Sequence, residues 1–306
     1  MTSPDSSLPG EPVVGDGAVV APDRSHPPVP PVSGREVPRF ATAERHRELG
    51  AAFETQGADY DRLRPGYPAE ALDLMLAAAP DRPDVVDLGA GTGKLSWALV
   101  DRGCRVTAVD PSRAMLDAAL AARPEEGASA SVAGDAPGPP GGPRLSTVVG
   151  TAEATGLPDA SADLATVAQA WHWFDADAAT AEARRILRPG GTLALVWNTL
   201  DVSIPWVHRY SRIMHAGDVM RPDFTPEIGP GLALVERRSV LWEDPRPTQE
   251  LIDLARTRSY VITAPEQRRN KVLANLDWYV HEHLGHAPGS VVGIPYRADV
   301  FVYRSL

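Results

Sequence analysis

Short apolar runs alternate with helical patterns through the middle of the chain. The runs are rich in Val, Ala, Leu and Thr, as is typical of buried parallel strands, and they span residues 85–88, 106–109, 147–149, 164–167 and 192–196. Apolar residues recur at helical spacing in residues 95–101, 113–122 and 176–187, and Arg188-Pro189-Gly190-Gly191 is expected to end the last helix. This alternation predicts an α/β fold with a Rossmann-like, doubly wound and mostly parallel sheet.

The pattern changes in the last third of the chain. Two further strand candidates, residues 233–241 and a final strand at 299–305 with its apolar centre at 300–303, are separated by a long helical region. That region runs from about residue 248 to residue 284 and is too large to be a simple connection. We therefore expect it to form a helical lid over the substrate.

Low-complexity segments mark the domain boundaries. Residues 1–38 are crowded with Pro, Gly, Ser and Asp, and their small apolar surface cannot offset the entropy of ordering, which predicts a disordered tail. Residues 124–144 contain a second such stretch, which predicts a surface loop. We expect one catalytic domain at residues 39–306, with its core at 53–242, because a chain of 306 residues with 43% hydrophobic content can bury a sizeable core.

Composition narrows the classes of function. The formal net charge of -10 opposes nucleic-acid binding, which needs a basic surface to displace counterions. Cys104 is the single cysteine, so no internal disulfide and no multi-cysteine zinc site are expected. No apolar run is long enough to cross a membrane, and the N-terminus resembles no export signal. We expect a cytoplasmic monomer or homodimer that acts on a small molecule without a metal, a membrane or nucleic acid.

The strongest signal is a buried strand that runs directly into a glycine-rich turn, Val85-Val86-Asp87-Leu88-Gly89-Ala90-Gly91-Thr92-Gly93. A P-loop is disfavoured because Leu88 replaces its first glycine and Leu95 its magnesium-binding hydroxyl. The dinucleotide fingerprint fits better, but Lys94 stands at its third glycine, so a nicotinamide cofactor is the second alternative. Glycines at alternate positions leave one side of the turn without Cβ atoms, where a nucleoside with an amino-acid tail fits.

Asp110 ends the second predicted strand, in the sequence Ala108-Val109-Asp110-Pro111-Ser112. It follows the start of the turn by about twenty residues, which places its carboxylate at the carboxyl edge of the sheet. A carboxylate there accepts charge-assisted hydrogen bonds from both hydroxyls of a ribose. The alternative is that Asp110 only caps the next helix, but Ser112 is able to do so, and ribose binding is favoured.

From about Phe53 to Asn198 the sequence resembles the class I S-adenosylmethionine-dependent methyltransferases. The glycine turn is similar to the first motif of that family, and Asp110 to its ribose-binding acid. The stretch Gly150-Thr151-Ala152-Glu153, with residues 157–163, is similar to the part that meets the adenine. Thr151 departs from the pattern, because the family often carries Asp there.

Two further segments resemble the bacterial small-molecule subgroup of the family, which is methyltransferase type 11-like. They are Asp59-Tyr60-Asp61-Arg62-Leu63-Arg64-Pro65-Gly66-Tyr67-Pro68 and Gln169-Ala170-Trp171-His172-Trp173-Phe174. The resemblance implies a seven-stranded sheet, S-adenosylmethionine as cofactor and a small-molecule acceptor methylated on a carboxylate, a phenol or hydroxyl, or an amine. It implies cofactor contacts by Tyr60, Arg64, Asp87, Gly89, Ala90, Gly91, Thr92, Gly93, Asp110, Pro111, Met115, Thr151, Ala152, Glu153, Gln169 and Ala170. The alternatives are a nicotinamide-dependent oxidoreductase and a cofactor-binding fold without catalysis.

The expected reaction is an in-line displacement, in which alignment and removal of the acceptor's proton are the main tasks. His172 is the candidate catalytic base because its unperturbed pKa lies near the working pH, whereas an ionised acceptor needs no base. Arg64 has a guanidinium fork able to hold the methionine carboxylate of the cofactor or an acidic substrate. His281 and His283 do not predict a metal site, because an i,i+2 pair on a helix points to different faces.

Overall fold

The computed structural model describes residues 62–123, 128–130, 144–216 and 223–305. The predicted tail and the candidate site residue Tyr60 lie outside the described residues. The described strands form a sheet with the order β3-β4-β2-β1-β5-β6-β8-β7. They are β1 (Asp84–Leu88), β2 (Arg105–Asp110), β3 (Ala128–Ala130), β4 (Leu145–Val149), β5 (Ala162–Ala168), β6 (Leu187–Leu200), β7 (Leu232–Pro247) and β8 (Val291–Ser305).

Helices alternate with the strands in the first half of the sheet, as the sequence predicted. The described helices are α1 (Ala69–Leu76), α2 (Lys94–Val100), α3 (Arg113–Ala121), α4 (Ala176–Ile186), α5 (Pro205–Ile213), α6 (Thr248–Asp253), α7 (Ser259–Ile262) and α8 (Glu266–Trp278). Short 3₁₀ turns lie at Trp171–Trp173 and Leu254–Thr257, and a π-helical turn lies at Tyr279–His283. Among these helices, none combines the length and the apolar character needed to cross a membrane.

The direction of the strands fixes where a ligand can bind. Strands β1 to β6 pair in parallel, and β8 runs antiparallel to its neighbours β6 and β7. The chain leaves β1 towards β2 on one side and leaves β5 towards β6 on the other side. The loops after β1 and β5 therefore separate at the carboxyl edge and leave a crevice, which is the usual ligand site of such sheets.

The Rossmann-like α/β fold is confirmed, with one strand more than the seven-stranded type. The additional strand is β3, which pairs with β4. It lies within residues 124–144, where the sequence predicted only a surface loop. Its sequence Ala-Ser-Ala contains none of the prolines and glycines that follow it, so nothing prevents extended pairing with the exposed edge of β4. Residues 131–143 lie outside the described residues.

Three other strand boundaries differ from the prediction. Helix α4 ends at Ile186 as expected, but residues 188–191 belong to the irregular start of β6, where the register against β5 shifts. Strands β7 and β8 are much longer than predicted because they continue through Pro245, Pro247 and Pro295, residues that usually end a strand. An edge strand such as β7 tolerates proline, since one side of its backbone needs no ladder partner.

The helical region after β7 shares a hydrophobic core with the sheet. Residues of α6, α8 and the π-helical turn pack with α5 and with the adjoining ends of β6 and β8. Fully buried members of this core are Val207, Tyr210, Leu251, Leu276 and Tyr279. Two further buried clusters cover the two faces of the sheet. The predicted helical region is thus confirmed as helical and is anchored at the carboxyl edge.

Candidate active site

The loop after β1 closes on the end of β2 through backbone hydrogen bonds. The N–H groups of Gly89 and Ala90 both donate to the carbonyl oxygen of Val109, at 2.8 and 3.1 Å. The N–H of Gly91 donates to Oδ2 of Asp110 at 2.9 Å. The predicted glycine turn and the predicted ribose-binding acid therefore meet in one site, and α2 begins directly after the loop.

The three loop glycines all have positive φ, but they have different surroundings. A Cβ atom on Gly89 would lie 2.8 Å from the Cβ of Ala170, and one on Gly93 would lie 2.8 Å from the Cβ of Ala119 on α3. No atom of the described chain lies within 4 Å of the corresponding position on Gly91. The sequence predicted that one side of the whole turn lacks Cβ atoms and is open to a ligand. In the structure, other protein atoms fill the space beside Gly89 and Gly93, so of the three glycines Gly91 alone borders open space.

Asp87 lies beneath the loop. It is 1% exposed, its Oδ2 accepts a hydrogen bond from the Ser96 hydroxyl at 2.6 Å, and its Oδ1 accepts one from the Thr166 hydroxyl at 3.0 Å. Burial raises the pKa of Asp87 to about 6, the two hydroxyls oppose that rise, and the charge of Asp110 adds to it. Asp87 therefore supports the loop from below through both carboxylate oxygens, and its contact with the cofactor stays a prediction.

Asp110 braces the backbone on both sides of the site. Its Oδ1 accepts the N–H of Ser112 at 2.9 Å, while its Oδ2 accepts the N–H of Gly91. The Ser112 hydroxyl accepts the N–H of Met115 at 3.4 Å and caps α3, so Asp110 is not the cap. A carboxylate has about four lone-pair positions, and the two backbone bonds do not exhaust its capacity to accept hydroxyl groups.

The segment after β4, which the resemblance assigns to the adenine, runs beside Asp110. The N–H of Gly150 donates to the carbonyl oxygen of Asp110 at 3.2 Å. Thr151 is exposed, and Ala152 is 3% exposed with its side chain in the core. The side chain of Ala152 therefore packs in the core, and the contact of this residue with the cofactor stays a prediction.

The remaining predicted residues of this side lie around the starts of two helices. Pro111 is exposed and Met115 half-buried, both where α3 begins next to Asp110. Glu153 accepts the N–H of Asp175 at 3.0 Å and is thus directed towards the N-terminus of α4. Of the predicted adenine-side residues, Pro111, Met115 and Thr151 therefore have the most direct access to the crevice.

Gln169 joins the ends of β5 and β6 on the other side of the crevice. Its φ of 58° lies in the left-handed region, which is uncommon for a residue with a side chain and often occurs at functional sites. Its N–H donates to the carbonyl oxygen of Val196 at 3.0 Å, and its Nε2 donates to that of Asn198 at 2.7 Å. These bonds hold the Gln169 turn opposite the glycine loop.

The aromatic turn after Gln169 divides between the core and the site. Trp171 is 4% exposed, and its Nε1–H donates to the carbonyl oxygen of Glu227 at 2.8 Å. The ring of Phe174 reaches to 2.9 Å from the position of a Cβ on Gly89 and so closes the back of the loop. His172 is exposed, with its ring centroid 4.9 Å from that of Trp173. The apolar wall at the glycine loop is therefore Phe174, and His172 lies at the surface of the turn.

Residues 62–68 cross the carboxyl edge between the glycine loop and the helical region. Nζ of Lys94 donates to the carbonyl oxygen of Arg64 at 2.8 Å, and Nδ2 of Asn198 donates to that of Gly66 at 2.5 Å. The guanidinium Nη2 of Arg64 donates to the carbonyl oxygen of Thr257 at 3.0 Å. This bond ties Arg64 to the start of the helical region.

Several polar residues extend this side of the crevice that the sequence did not reveal. Nε1 of Trp242 donates to Oδ1 of Asn198 at 3.2 Å, and its ring stacks on Tyr296 with centroids 5.5 Å apart. Arg246 donates to Asp244 at 2.8 Å and to Glu250 at 2.9 Å. No local motif marks these residues, because they come together only when β7, β8 and the helical region pack.

Comparison with known proteins agrees with the fold. Residues 86–195 match the sequence profile of a methyltransferase domain. An uncharacterized methyltransferase of Mycobacterium tuberculosis is 41% identical over 252 residues, which cover 82% of this chain and 94% of that protein. The solved structure of a candidate type II methyltransferase from Anaeromyxobacter dehalogenans is 30% identical and has a TM-score of 0.54, with 79% of this chain and 96% of that chain covered. A malonyl-acyl carrier protein O-methyltransferase of Methylococcus capsulatus is 34% identical over 160 residues, 51% of this chain and 53% of that protein.

Proposed function

Because the chain belongs to the class I S-adenosylmethionine-dependent methyltransferases, we propose that it methylates a small-molecule acceptor in the crevice at the carboxyl edge of its sheet. The observation that carries this proposal is the open space at Gly91 directly beside the carboxylate of Asp110. Membership of the family removes the two alternatives that the glycine pattern left open, a nicotinamide-dependent oxidoreductase and a fold without catalysis.

The residues around Gly91 fit S-adenosylmethionine. Because Gly91 has no Cβ and faces open space, a nucleoside fits directly against the loop backbone. Asp110 accepts the ribose hydroxyls, and the N–H groups of Gly91 and Ser112 fix the orientation of its carboxylate. The adenine is assigned to the space between Met115 and Thr151, where the Thr151 hydroxyl or a backbone carbonyl takes the place of the usual Asp.

The protein's task in the reaction is alignment. S-adenosylmethionine supplies a methyl group on a positively charged sulfur, and its transfer leaves that sulfur neutral while a lone pair of the acceptor forms the new bond to carbon. No covalent bond to the enzyme is needed, so catalysis rests on holding the acceptor in line and excluding water. Gln169 and Ala170, opposite the glycine loop, are assigned to the side of the methyl group, with Phe174 as the apolar wall behind Gly89.

Among carboxylate, hydroxyl and amine acceptors, we favour a carboxylate. The relative from Methylococcus capsulatus is named for transfer to an oxygen atom of a malonyl group. The direction of the Arg64 guanidinium, towards the helical region, also favours an acidic molecule. A carboxylate is already ionised at neutral pH and needs no base, whereas a hydroxyl or amine acceptor would assign proton removal to His172.

The helical region from α6 to the π-helical turn is assigned as the cover of the acceptor. It is anchored by the hydroxyl of Tyr210 on α5, which donates to the carbonyl oxygen of Leu251 at 2.6 Å, and by the bond from Arg64 to Thr257. Because both anchors lie at the carboxyl edge, the region is placed to shield the reacting atoms from water, which strengthens electrostatic interactions in the crevice.

The test is a methyl-transfer screen with radiolabelled S-adenosylmethionine. Pools of small carboxylic acids, phenols and amines are incubated with the full chain and with the Gly91→Val variant. We expect label to transfer to the carboxylic acid pool with the wild-type chain only. Transfer to the phenol or amine pool alone would contradict the carboxylate assignment, and cofactor binding without transfer to any pool would contradict the proposed reaction.

A further inference from the structure

Residues 62–68, the strap, bridge the two sides of the crevice through their own carbonyl groups. The carbonyl oxygen of Arg64 accepts a hydrogen bond from Nζ of Lys94, the first residue of α2, at 2.8 Å. The carbonyl oxygen of Gly66 accepts one from Nδ2 of Asn198 at 2.5 Å, and Asn198 also bonds to the turn that lies opposite the glycine loop. The strap is therefore bonded to both sides of the proposed methyl-transfer site.

A third side chain holds the strap from the acceptor side. Nη2 of Arg246 donates to the same carbonyl oxygen of Arg64 at 3.2 Å, and its Nη1 donates to that of Arg62 at 2.8 Å. Bonds to one acid on β7 and one on α6 fix the orientation of this guanidinium, whose side chain is 14% exposed. Because Lys94 and Arg246 donate to one oxygen atom, that atom joins the glycine-loop side to the acceptor side.

The strap is packed at its two ends and irregular between them. Leu63 is 4% exposed in the core of the helical region, and Tyr67 packs against a buried cluster on one face of the sheet. Residues 65–67 belong to no helix or strand of the described structure. The three side-chain donors from α2, β6 and β7 therefore hold this stretch, and a stretch held by few bonds opens at a smaller free-energy cost than the core.

Lys94 stands at a position that the local structure of α2 does not favour. The N-terminus of a helix carries partial positive charge, so an ammonium group in the first turn is unfavourable there. No acidic residue lies in the first turn of α2 to offset it. The bond from Lys94 to the strap gives this lysine a role that helix formation does not explain, and a hydrogen bond from a charged donor is stronger than one between neutral groups.

We propose that Lys94 is a positioning residue that, together with Asn198 and Arg246, holds the strap closed across the crevice and thereby controls exchange of the cofactor. A nucleoside at Gly91 then enters and leaves only when the bonds to the carbonyl oxygens of the strap break. Loss of one of these bonds destabilises the closed state equally with and without cofactor, so entry and release both become faster while affinity changes little. This assignment rests on the proposed function, because it presupposes that S-adenosylmethionine binds in the crevice.

The first measurement is the rate of cofactor exchange, by surface plasmon resonance on the full chain held through an N-terminal tag. S-adenosylmethionine and S-adenosylhomocysteine are injected over the wild type, Lys94→Met, Lys94→Arg and Lys271→Met. Lys94→Met removes the donor, Lys94→Arg keeps one, and Lys271→Met removes the same charge from an exposed position on α8. Urea denaturation of each protein separates an effect on exchange from an effect on global stability.

We expect Lys94→Met to raise the association and dissociation rates about tenfold, with affinity within about threefold of the wild type, since it removes a hydrogen bond from a charged group. Lys94→Arg should restore the wild-type rates within about threefold, and Lys271→Met should leave them unchanged. Unchanged rates in Lys94→Met, faster dissociation alone, or equal acceleration in Lys271→Met would overturn the proposal. Failure of the wild type to bind either compound would instead contradict the proposed function, so the two failures are distinguishable.

Acetylation of lysine gives an independent measure of strap opening, because the chain contains two lysines, Lys94 and Lys271. Asn198→Asp replaces the donor to Gly66 by an oxygen and keeps an acceptor for Trp242. With mass spectrometry of the labelled peptides, we expect acetylation of Lys94 to be about tenfold faster in Asn198→Asp than in the wild type, and that of Lys271 to be equal in both. Equal acetylation of Lys94 in the two proteins would show that the strap is not held jointly and would overturn the proposal.

Discussion

The two sides of the crevice are built in different ways. On the cofactor side, glycines and backbone N–H groups make the site, and Gly91 meets Asp110 only 19 residues later in the chain. On the acceptor side, side chains make the contacts, and Asn198 bonds to Gly66 across 132 residues while Arg64 bonds to Thr257 across 193. A local loop can be recognised from a short motif, whereas a site assembled from distant segments appears only after folding. The contrast explains why the cofactor is easier to infer than the acceptor.

The largest effect is expected from Gly91→Val on the cofactor side. Its branched Cβ would enter the open space proposed for the nucleoside and would strain a residue with φ of 55°. We expect S-adenosylmethionine binding to disappear in calorimetry while the variant still melts cooperatively.

Gly103→Val is the matched control for this variant. Gly103 also has positive φ, and no atom of the described chain lies within 4 Å of an added Cβ. It lies between α2 and β2, at the opposite edge of the sheet. The control shares the backbone strain, so comparable loss of cofactor binding in both variants would contradict the role given to Gly91.

The next effect concerns the acid beneath the glycine loop. Burial raises the pKa of Asp87 from 3.8 to about 6, so the folded state holds this proton more tightly than the unfolded state. The stabilisation from the proton is fully present below about pH 4 and is lost as the pH rises through about 6. Relative to Asp87→Asn, the wild type should lose about 3 kcal/mol of unfolding free energy over this interval. Urea denaturation of both proteins between pH 4 and pH 7 measures the difference, and a difference independent of pH would count against it.

Asp110→Asn should weaken S-adenosylmethionine binding by about ten- to hundredfold, since a charge-assisted hydrogen bond is worth roughly 1.5–3 kcal/mol. The amide also places an NH₂ group against the N–H of either Gly91 or Ser112, which disturbs the brace of the loop. Turnover at saturating cofactor should change much less, because the ribose contact is equal in the ground and transition states. A collapse of kcat with unchanged affinity would contradict ribose binding.

The smallest effect is expected on the acceptor side, from Tyr210→Phe. Its hydroxyl bonds to the carbonyl oxygen of Leu251, and removal of a buried hydrogen bond costs about 1 kcal/mol. We expect this loss in urea denaturation, together with a higher KM for the acceptor as the helical region loosens. Tyr303→Phe, which removes a buried hydroxyl without a partner in the described residues, should leave both values unchanged. Equal stability losses in the two variants would show that the bond to Leu251 does not anchor the region.

The sequence sufficed for the parallel half of the fold and for the glycine loop with Asp110. Apolar runs bounded by glycine and helical periodicity are local signals, and they located β1, β2, β5 and the helices between them. For the three loop glycines, the sequence shows less than the structure does. Their spacing is visible in the sequence, but only packing shows that Ala119 and Ala170 fill two of the three positions and leave Gly91 open.

The sequence located the antiparallel strands and the helical region only approximately, and it revealed few residues of the acceptor side. Prolines within β7 and β8 hid the length of both strands, since their tolerance depends on edge position and on neighbours. The motifs that contain Asp87 and Ala152 predict ligand contacts but did not reveal that both side chains are buried. Trp242 and Arg246 carry no motif, and their contacts with Asn198 and Arg64 follow from tertiary packing alone.

The most direct test is the affinity of S-adenosylmethionine for the wild type, Asp110→Asn and Tyr210→Phe, measured by calorimetry under the same conditions. If the cofactor occupies the glycine-loop side and the acceptor the other, Asp110→Asn loses about ten- to hundredfold in affinity and Tyr210→Phe keeps the wild-type value within about twofold. Absence of binding in the wild type, or an equal loss in the two variants, would contradict the division of the crevice into a cofactor side and an acceptor side.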